Sequence, residues 1–233
     1  MWTRKELKTR AKINYKKNPW ICILSSLVLV TLTGASFTYS YKGATNAAQS
    51  QGFESIADAI NNDNALAFLI TFVSMMAVAV IIGILLRIFI INPLKASASY
   101  FYVINNKEEK AEVKSIFKGT EKGTLLRLAM AVFMKKLICS LWGLLFVIPG
   151  IVKEYQYRFV ENLIIENPDM KWNEAMKISK EMTNGQKASI FVLDLSFILW
   201  YVLAAIPVIG WFVLPYILQT DAELYLELKK NNA

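Results

Sequence analysis

The sequence contains no histidine, two cysteines and few charged residues, and each shortage excludes a class of protein. Without histidine there is no Ser-His-Asp or Cys-His arrangement, no H-E-x-x-H motif and no side chain whose usual pKa lies near neutrality. Cys22 and Cys139 both lie in apolar runs and provide neither a disulfide framework nor the usual zinc ligand set. The chain also lacks a P-loop and a G-x-G-x-x-G motif. We therefore predict a protein that is not an enzyme, with no catalytic residues, no cofactor and no metal.

The composition indicates an integral membrane protein. Hydrophobic residues make up 55% of the chain and charged residues 19%, and the mean hydropathy is +0.37. Trp20–Tyr41 and Ala65–Leu86 are uncharged runs of 22 residues, and each is long enough to cross a hydrocarbon core of about 30 Å as a helix. A cleaved secretory signal is the other interpretation of the first run, because a basic leader precedes it and small residues follow at 34–36. The run continues to Tyr39, which favours a span.

The net charge of +8 is distributed along the chain in a way that predicts membrane topology rather than nucleic-acid binding. Residues 1–19 carry seven basic side chains and one acid, so this leader is predicted to be cytoplasmic. Residues 42–64 hold one lysine and three acids and are predicted to form an outside loop. Residues 92–127 bear seven basic residues and are predicted to be cytoplasmic. The first membrane hairpin therefore consists of 20–41 and 65–91.

Two later apolar regions are too long for one crossing each. Leu128–Ile165 would measure about 57 Å as a single helix and Ala188–Thr220 about 50 Å. Pro149-Gly150 is the predicted break in the first region, and Pro207 with Gly210 the predicted break in the second. Two more hairpins follow, at 128–166 and 188–228. Single crossings would instead strand four lysines outside, at positions 171, 177, 180 and 187.

The predicted fold is one all-α domain, a polytopic transmembrane helix bundle with about six membrane segments as three hairpins. Both termini are predicted to be cytoplasmic and the location to be a bacterial cell membrane. The returning arms of the later hairpins are polar, so shallower re-entrant hairpins are the alternative. Residues 170–184 predict an interfacial amphipathic helix on the cytoplasmic side that ends with a glycine C-cap at Asn184-Gly185. Its apolar face contains Trp172, Met176, Ser179 and Met182.

Several sequence blocks with a recognisable order and spacing run through nearly the whole chain. They are Arg4–Lys8 with Ala11, Lys17–Trp20, Leu141–Ile151 with Tyr155 and Tyr157, Glu174–Met176 with Ser179, Met182 and Gly185–Lys187, and Leu195–Phe197 with Trp200, Pro215-Tyr216 and Tyr225. Together they resemble the bacterial membrane family named domain of unknown function 975 (DUF975). The resemblance implies a polytopic membrane protein, chiefly of Gram-positive bacteria, distantly similar to the membrane domains of some glycerophosphodiester phosphodiesterases. It implies no specific activity.

This chain departs from the family pattern at three positions. Lys171 stands where a serine is expected, so a capping box with Glu174 is absent. Gln186 stands where histidine is common, so any proton chemistry of that histidine would be missing here. Asp194 is unusual because it lies within an apolar run.

Ionisable side chains within the apolar segments are the candidate functional residues, because each costs about 2.5–3.5 kcal/mol at a helix centre. The structural interpretation is that they neutralise one another, with Glu154 and Arg158 spaced i, i+4 and Asp194 paired with Lys135 or Lys136. The functional interpretation is a substrate or ion pathway. The predicted intramembrane polar group contains Arg87, Lys135, Lys136, Glu154, Arg158, Glu161 and Asp194, with Lys153 beside it.

Two functions from different classes remain open. The first is a non-enzymatic accessory, envelope-stress or bacteriocin-protection component that acts through membrane lipids, a membrane-protein partner or a second copy of the chain. The second is a small-solute or ion transporter or channel subunit that uses Arg158, Glu154 and Asp194 as a polar path. A water-accessible cavity lined by these charges would favour the second function, and ion pairs among them would favour the first.

Overall fold

The computed structural model describes residues 2–31, 65–108, 111–121, 123–204 and 206–232. Within these ranges the secondary structure is helical and contains no strand, which confirms the predicted all-α class. The predicted outside loop at 42–64 and the end of the first apolar run lie outside the described residues.

Eleven α-helices are numbered here in chain order over the described ranges. A π-helix, Arg87–Ile91, joins α3 to α4, and a 3-10 helix, Val113–Thr120, precedes α5. The α-helices are α1 (Arg4–Lys17), α2 (Pro19–Thr31), α3 (Ala65–Leu86), α4 (Asn92–Lys107), α5 (Thr124–Leu145), α6 (Val147–Gln156), α7 (Val160–Glu166), α8 (Trp172–Met182), α9 (Lys187–Leu195), α10 (Ile198–Ala204) and α11 (Pro207–Asn231).

The chain divides into two compact units, one formed by residues 1–30 and 88–233 and the other by 31–87. In the second unit the structure describes α3, which is apolar along its whole length. None of the side chains in its most apolar window is buried. A helix of this length and hydropathy is a candidate membrane span.

The core of the first unit is centred on α4. Tyr100, Phe101 and Tyr102 are almost fully buried there, together with Phe159 before α7 and Tyr225 of α11. The 3-10 helix packs against α4 at its glycine. The Gly119 amide donates to the Ser97 hydroxyl at 2.7 Å, and an added Cβ at this glycine would meet three side-chain atoms at 3.1–3.2 Å.

Two helices are long and apolar enough to cross a membrane, and a third candidate arises if a bent pair is counted as one span. The first is the continuous helix Leu69–Lys107, and the second is α5. The bent pair is α9 and α10, which meet at 49°. These helices support the predicted membrane protein, while six segments and their orientation stay predictions.

Both long apolar regions break, but the helices end earlier than the sequence suggests. The first break is at Phe146, which is extended, and Pro149 lies in the first turn of α6, where a missing N–H costs nothing. The second break ends α10 at Ala204, and Pro207 opens α11. Two further interruptions, at 157–159 and 196–197, were not predicted.

Glycines make the first of these hairpins narrow. An added Cβ at Gly150 would lie 2.6 Å from the Gly143 Cα, so the α6 backbone approaches α5 more closely than any other residue allows. At the second hairpin, an added Cβ at Gly210 would lie 2.6 Å from the Ala204 carbonyl oxygen.

A helix, α8, forms where the amphipathic helix was predicted, and its apolar face contacts protein. Met176, Ser179 and Met182 are buried against α5, α6 and α7. The Ser179 hydroxyl donates to the Gln156 carbonyl at 2.9 Å and accepts from the Phe159 amide at 3.2 Å. The bundle itself therefore covers this face, and the interfacial position of the helix on the cytoplasmic side stays a prediction. Gly185 has a φ of +71°, as the predicted C-cap requires.

Candidate functional site

Arg158 lies in the short turn between α6 and α7 and binds two aspartates from later helices. Its Nη1 and Nη2 donate to the two Asp194 carboxylate oxygens at 2.6 and 3.0 Å. Its Nε donates to Asp221 Oδ1 at 2.7 Å. The Tyr155 hydroxyl donates to Asp194 Oδ2 at 3.0 Å. This group, called here the Arg158 cluster, fixes the α6–α7 turn to α9 and α11.

A second cluster forms around Lys135 on α5, which is 8% exposed. Its ammonium group lies 3.3 Å from Glu161 Oε1 on α7 and 3.6 Å from Glu154 Oε1 on α6. Glu161 is half-buried, whereas Glu154 is mainly exposed. This group, called the Lys135 cluster, fixes α5 to the two helices that follow it.

The structure therefore brings most of the predicted polar group together but with different partners. The sequence suggests that Asp194 pairs with Lys135 or Lys136, and this is wrong, because Arg158 takes that position and Lys136 donates to Asn92 Oδ1 at 3.0 Å. The suggested i, i+4 contact of Glu154 with Arg158 is also absent from the ion pairs of the described residues. The helix ends at Gln156, so the two side chains are not on consecutive helical turns.

Besides Lys136, which contacts Asn92, two predicted residues lie apart from these clusters. Arg87 belongs to the second unit, where it opens the π-helix and is exposed. The Lys153 ammonium group lies 5.1 Å from the centre of the Trp142 ring and 5.8 Å from that of Tyr157. Aromatic faces attract such a cation, which allows Lys153 to lie beside apolar helices with no ion pair to a carboxylate of the described residues.

A third ionic contact, which the sequence did not reveal, fixes α1 to α11. Arg10 Nη2 lies 2.9 Å from Glu227 Oε2, and its Nε lies 3.6 Å from Glu223 Oε2. The Asn14 amide also donates to Glu223. The sequence does place two acids, Glu223 and Glu227, four residues apart on one face of α11. It does not show which helix carries their basic partner.

Lys8 fixes the same helix to the end of α9. Its ammonium group donates to Ser196 Oγ at 2.8 Å and lies 4.0 Å from the centre of the Phe197 ring. Burial, together with neighbouring Arg4 and Lys12, lowers the pKa of Lys8 from its usual value. This lysine is therefore held by the protein and is not a freely solvated member of the basic leader.

Glu166, at the end of α7, accepts from three side chains. Its Oε1 lies 2.6 Å from Lys107 Nζ and 2.8 Å from Lys229 Nζ, and its Oε2 accepts from the Tyr225 hydroxyl. Burial raises the pKa of this carboxyl, but the three hydrogen bonds outweigh burial and lower the pKa to about 2. Glu166 lies outside the candidate spans and connects α4, α7 and α11.

A network of buried amides crosses the centre of the same unit. Asn105 and Gln219 are fully buried. The Asn105 amide donates to Gln219 Oε1 at 3.3 Å and to the Asn14 carbonyl at 3.0 Å, and its oxygen accepts from Asn18 at 2.8 Å. Because these amides satisfy one another, they form a structural connection between α1, α4 and α11 and offer no group to a ligand.

Each cluster pairs one cation with two carboxylates and so joins helices to one another. Within the described residues, no group of three or more Cys, Asp or Glu side chains is arranged to hold a metal ion. A shallow groove of about 370 Å³ lies elsewhere, lined by Trp2, Thr3, Arg4, Ala188, Ser189 and Val192. Neither cluster lines this groove.

Residues 144–232 match the model of a family described as a protein of unknown function, DUF975. The match covers α6 to α11 and so contains the whole Arg158 cluster, whereas Lys135 precedes it. No curated protein matches the chain, and no solved structure does.

Proposed function

We propose that this chain is a non-enzymatic membrane protein that acts through contacts with lipids or protein partners and carries no solute. The observation that supports the proposal is the Arg158 cluster. Three hydrogen bonds to two carboxylates occupy every nitrogen of the guanidinium. A planar cation bound in this bidentate manner is oriented and neutralised, as in a structural tie between helices.

The exposed surface of the chain favours the same function. Large apolar side chains are exposed along α3, at the turn between α5 and α6, and on α10. Contiguous exposed apolar surface indicates contact with a membrane or another protein. We place the chain in a bacterial cell membrane, as a multi-pass protein with both termini in the cytoplasm. An accessory, envelope-stress or bacteriocin-protection role fits such a surface.

Family membership over the whole chain is part of this proposal. The family model matches residues 144–232. The resemblance of earlier residues to DUF975 rests on the blocks at Arg4–Lys8 and Lys17–Trp20, together with the start of the Leu141–Ile151 block. The distant similarity to the membrane domains of glycerophosphodiester phosphodiesterases is likewise proposed.

A charge exchange within the Arg158 cluster tests the proposal. Each single change, Arg158→Asp or Asp194→Arg, leaves like charges together. We expect each change to lower severalfold both the amount of folded protein and the survival of cells under envelope stress. The double exchange restores one ion pair, so we expect most of both to return. The measurements are thermal unfolding of the purified protein and survival of cells under envelope stress.

The exposed pair Arg127 and Asp169, at 3.0 Å, provides the matched control. Exchanging this pair should change neither measurement, because exposed pairs contribute little. If the double exchange at Arg158 and Asp194 restored folding but abolished the cellular phenotype, the cluster would have a role beyond structure and the proposal would be overturned.

A transporter or channel subunit is the second candidate, and one observation favours it. The Arg158 cluster holds two carboxylates and one cation, and Asp194 and Asp221 keep 24% and 32% of their side-chain surface exposed. An excess negative charge of this kind attracts cations. Cation flux into vesicles containing the purified protein, lost in the Asp194→Asn variant, would support transport and contradict our proposal.

A further inference from the structure

Both later hairpins end in exposed apolar side chains. At the turn between α5 and α6, the side chains from Leu144 to Ile148 are 66–87% exposed, and at the second hairpin Val202 near the end of α10 is 67% exposed and Ile206 after it 51%. No Asp, Glu, Lys or Arg occurs at 137–152 or at 195–220. A turn that emerged into water would carry polar residues. The two tips therefore require apolar surroundings.

Helix α1 marks the level at which water begins beside the second hairpin. Its inner side packs on the protein through Leu7 and Ala11, and Lys8 contacts Ser196 and Phe197 at the start of α10. Its outer side is exposed and basic. The exposed lysines there are Lys5, Lys16 and Lys17; Lys12 is also exposed, although its ammonium group lies 5.8 Å from the centre of the Tyr216 ring on α11.

Exposed ammonium groups are expensive in hydrocarbon but are attracted to anionic headgroups. The level of α1, and hence of Ser196, therefore lies at the membrane surface. Trp20 marks the same level from α2, because it is 81% exposed directly after the basic leader, as interfacial tryptophans are.

The hairpins extend only a short way beyond this level. From Ser196 the chain reaches the end of α10 at Ala204 in eight residues, about 12 Å of helix. On α2, Ser26 is six residues beyond Trp20, about 9 Å, and its hydroxyl already donates to the Trp211 carbonyl near the start of α11.

The first hairpin gives the same depth. The Tyr155 hydroxyl contacts Asp194, and the Tyr155 ring packs edge-on against Phe191, so α6 is at the level of α9 there. From Tyr155 back to Val147 is eight residues, about 12 Å. Both depths are close to half of the hydrocarbon core, which is about 30 Å thick.

We propose that the two tips insert into the acyl chains of the leaflet that α1 contacts and end near the middle of the bilayer without crossing it. The ligand of this surface is lipid hydrocarbon. The Arg158 and Lys135 clusters then lie at the headgroup level, where ionisable groups cost far less than at the bilayer centre. This placement also explains why the returning arms are polar.

Single cysteines at the tips test the depth. Ile148→Cys and Val202→Cys, in a chain carrying Cys22→Ala and Cys139→Ala, place reporters on exposed side chains. The glycines at 150 and 210 are unsuitable, since a side chain there would strike backbone atoms. A fluorophore on each cysteine is measured in vesicles that contain lipids with nitroxide quenchers at carbon 5 or carbon 12 of the acyl chain.

We expect the carbon-12 quencher, near the bilayer centre, to quench both reporters at least twofold more than the carbon-5 quencher. We also expect no labelling of either cysteine by a membrane-impermeant maleimide from either side. Asn184→Cys, in the exposed turn after α8, is the control and should react readily from one side with little quenching.

Two outcomes would overturn the proposal. Labelling of both tips from the side opposite to position 184 would show full crossings. Labelling from the same side as position 184, with weak quenching by both lipids, would show that the tips lie in water or against a partner protein. The charge exchange at Arg158 reads a different property, so the two proposals succeed or fail separately.

Discussion

At the scale of single residues, Glu166 stabilises the fold because it contacts side chains of two other helices, α4 and α11. We predict that Glu166→Gln lowers the free energy of unfolding by about 2 kcal/mol at pH 7, because it removes two charge-assisted contacts with lysines on other helices. Thermal unfolding of the purified protein in detergent measures the loss.

The pH dependence of this effect has a definite sign. The pKa of Glu166 is lowered by its lysine and tyrosine donors from a usual value of 4.5 to about 2. The stabilisation is therefore present above pH 4.5 and is lost as pH falls toward 2. We expect the difference between wild type and Glu166→Gln to shrink below pH 4.5. Asp169→Asn, at a fully exposed carboxylate, is the control and should show no such trend. A difference that stayed constant with pH would show that charge is not the cause.

At the scale of helices, the narrow first hairpin depends on one glycine. We predict that Gly150→Ala lowers stability by about 2 kcal/mol, because the added methyl group would lie 2.6 Å from the Gly143 Cα and the two backbones would have to separate. Gly143→Ala is a matched control, since its Cβ would meet nothing within 4 Å. Thermal unfolding of both variants decides the point. Equal stability of the two would mean that the helices do not approach this closely.

The helices themselves were largely predictable, and their partners were not. Hydropathy identified α3, the prolines identified breaks in the two later apolar regions, and the amphipathic pattern identified α8. Each of these signals is local to the segment that it shapes. The breaks moved by a few residues because a proline is tolerated inside the first turn, so the interruption precedes it. The sequence could not identify Arg158 as the partner of Asp194, because the pairing depends on which helices pack against α9. The buried amide of Asn105 had only one weak signal, an isolated polar residue in an apolar helix.

At the scale of the whole molecule, the proposed depth of the hairpin tips gives the charges and the apolar side chains of the first unit one common explanation. Ion pairs of the first unit connect α1, α4, α5, α7, α9 and α11, with Lys229 and Glu166 joining α11 to α7. Apolar tips extend from this unit on one side, and the exposed lysines of α1 lie at their base. On the proposed depth, the same arrangement would explain why so polar a set of residues can occur within apolar segments, because the charges would bind one another at the level where headgroups begin.

The exposed lysines of α1 then have a specific consequence for lipid preference. We predict that the triple change Lys5→Gln, Lys12→Gln and Lys16→Gln weakens stabilisation by anionic lipid, because each near-surface cation contributes about 1 kcal/mol of attraction. Wild-type protein should melt several degrees higher in nanodiscs rich in anionic lipid than in zwitterionic ones, and salt should reduce the gain. The triple variant should lose most of the gain. The matched control changes three exposed lysines around α8, at 171, 177 and 180, to glutamine. If this control lost as much as the α1 variant, the preference would reflect net charge alone, and α1 would not mark the membrane surface.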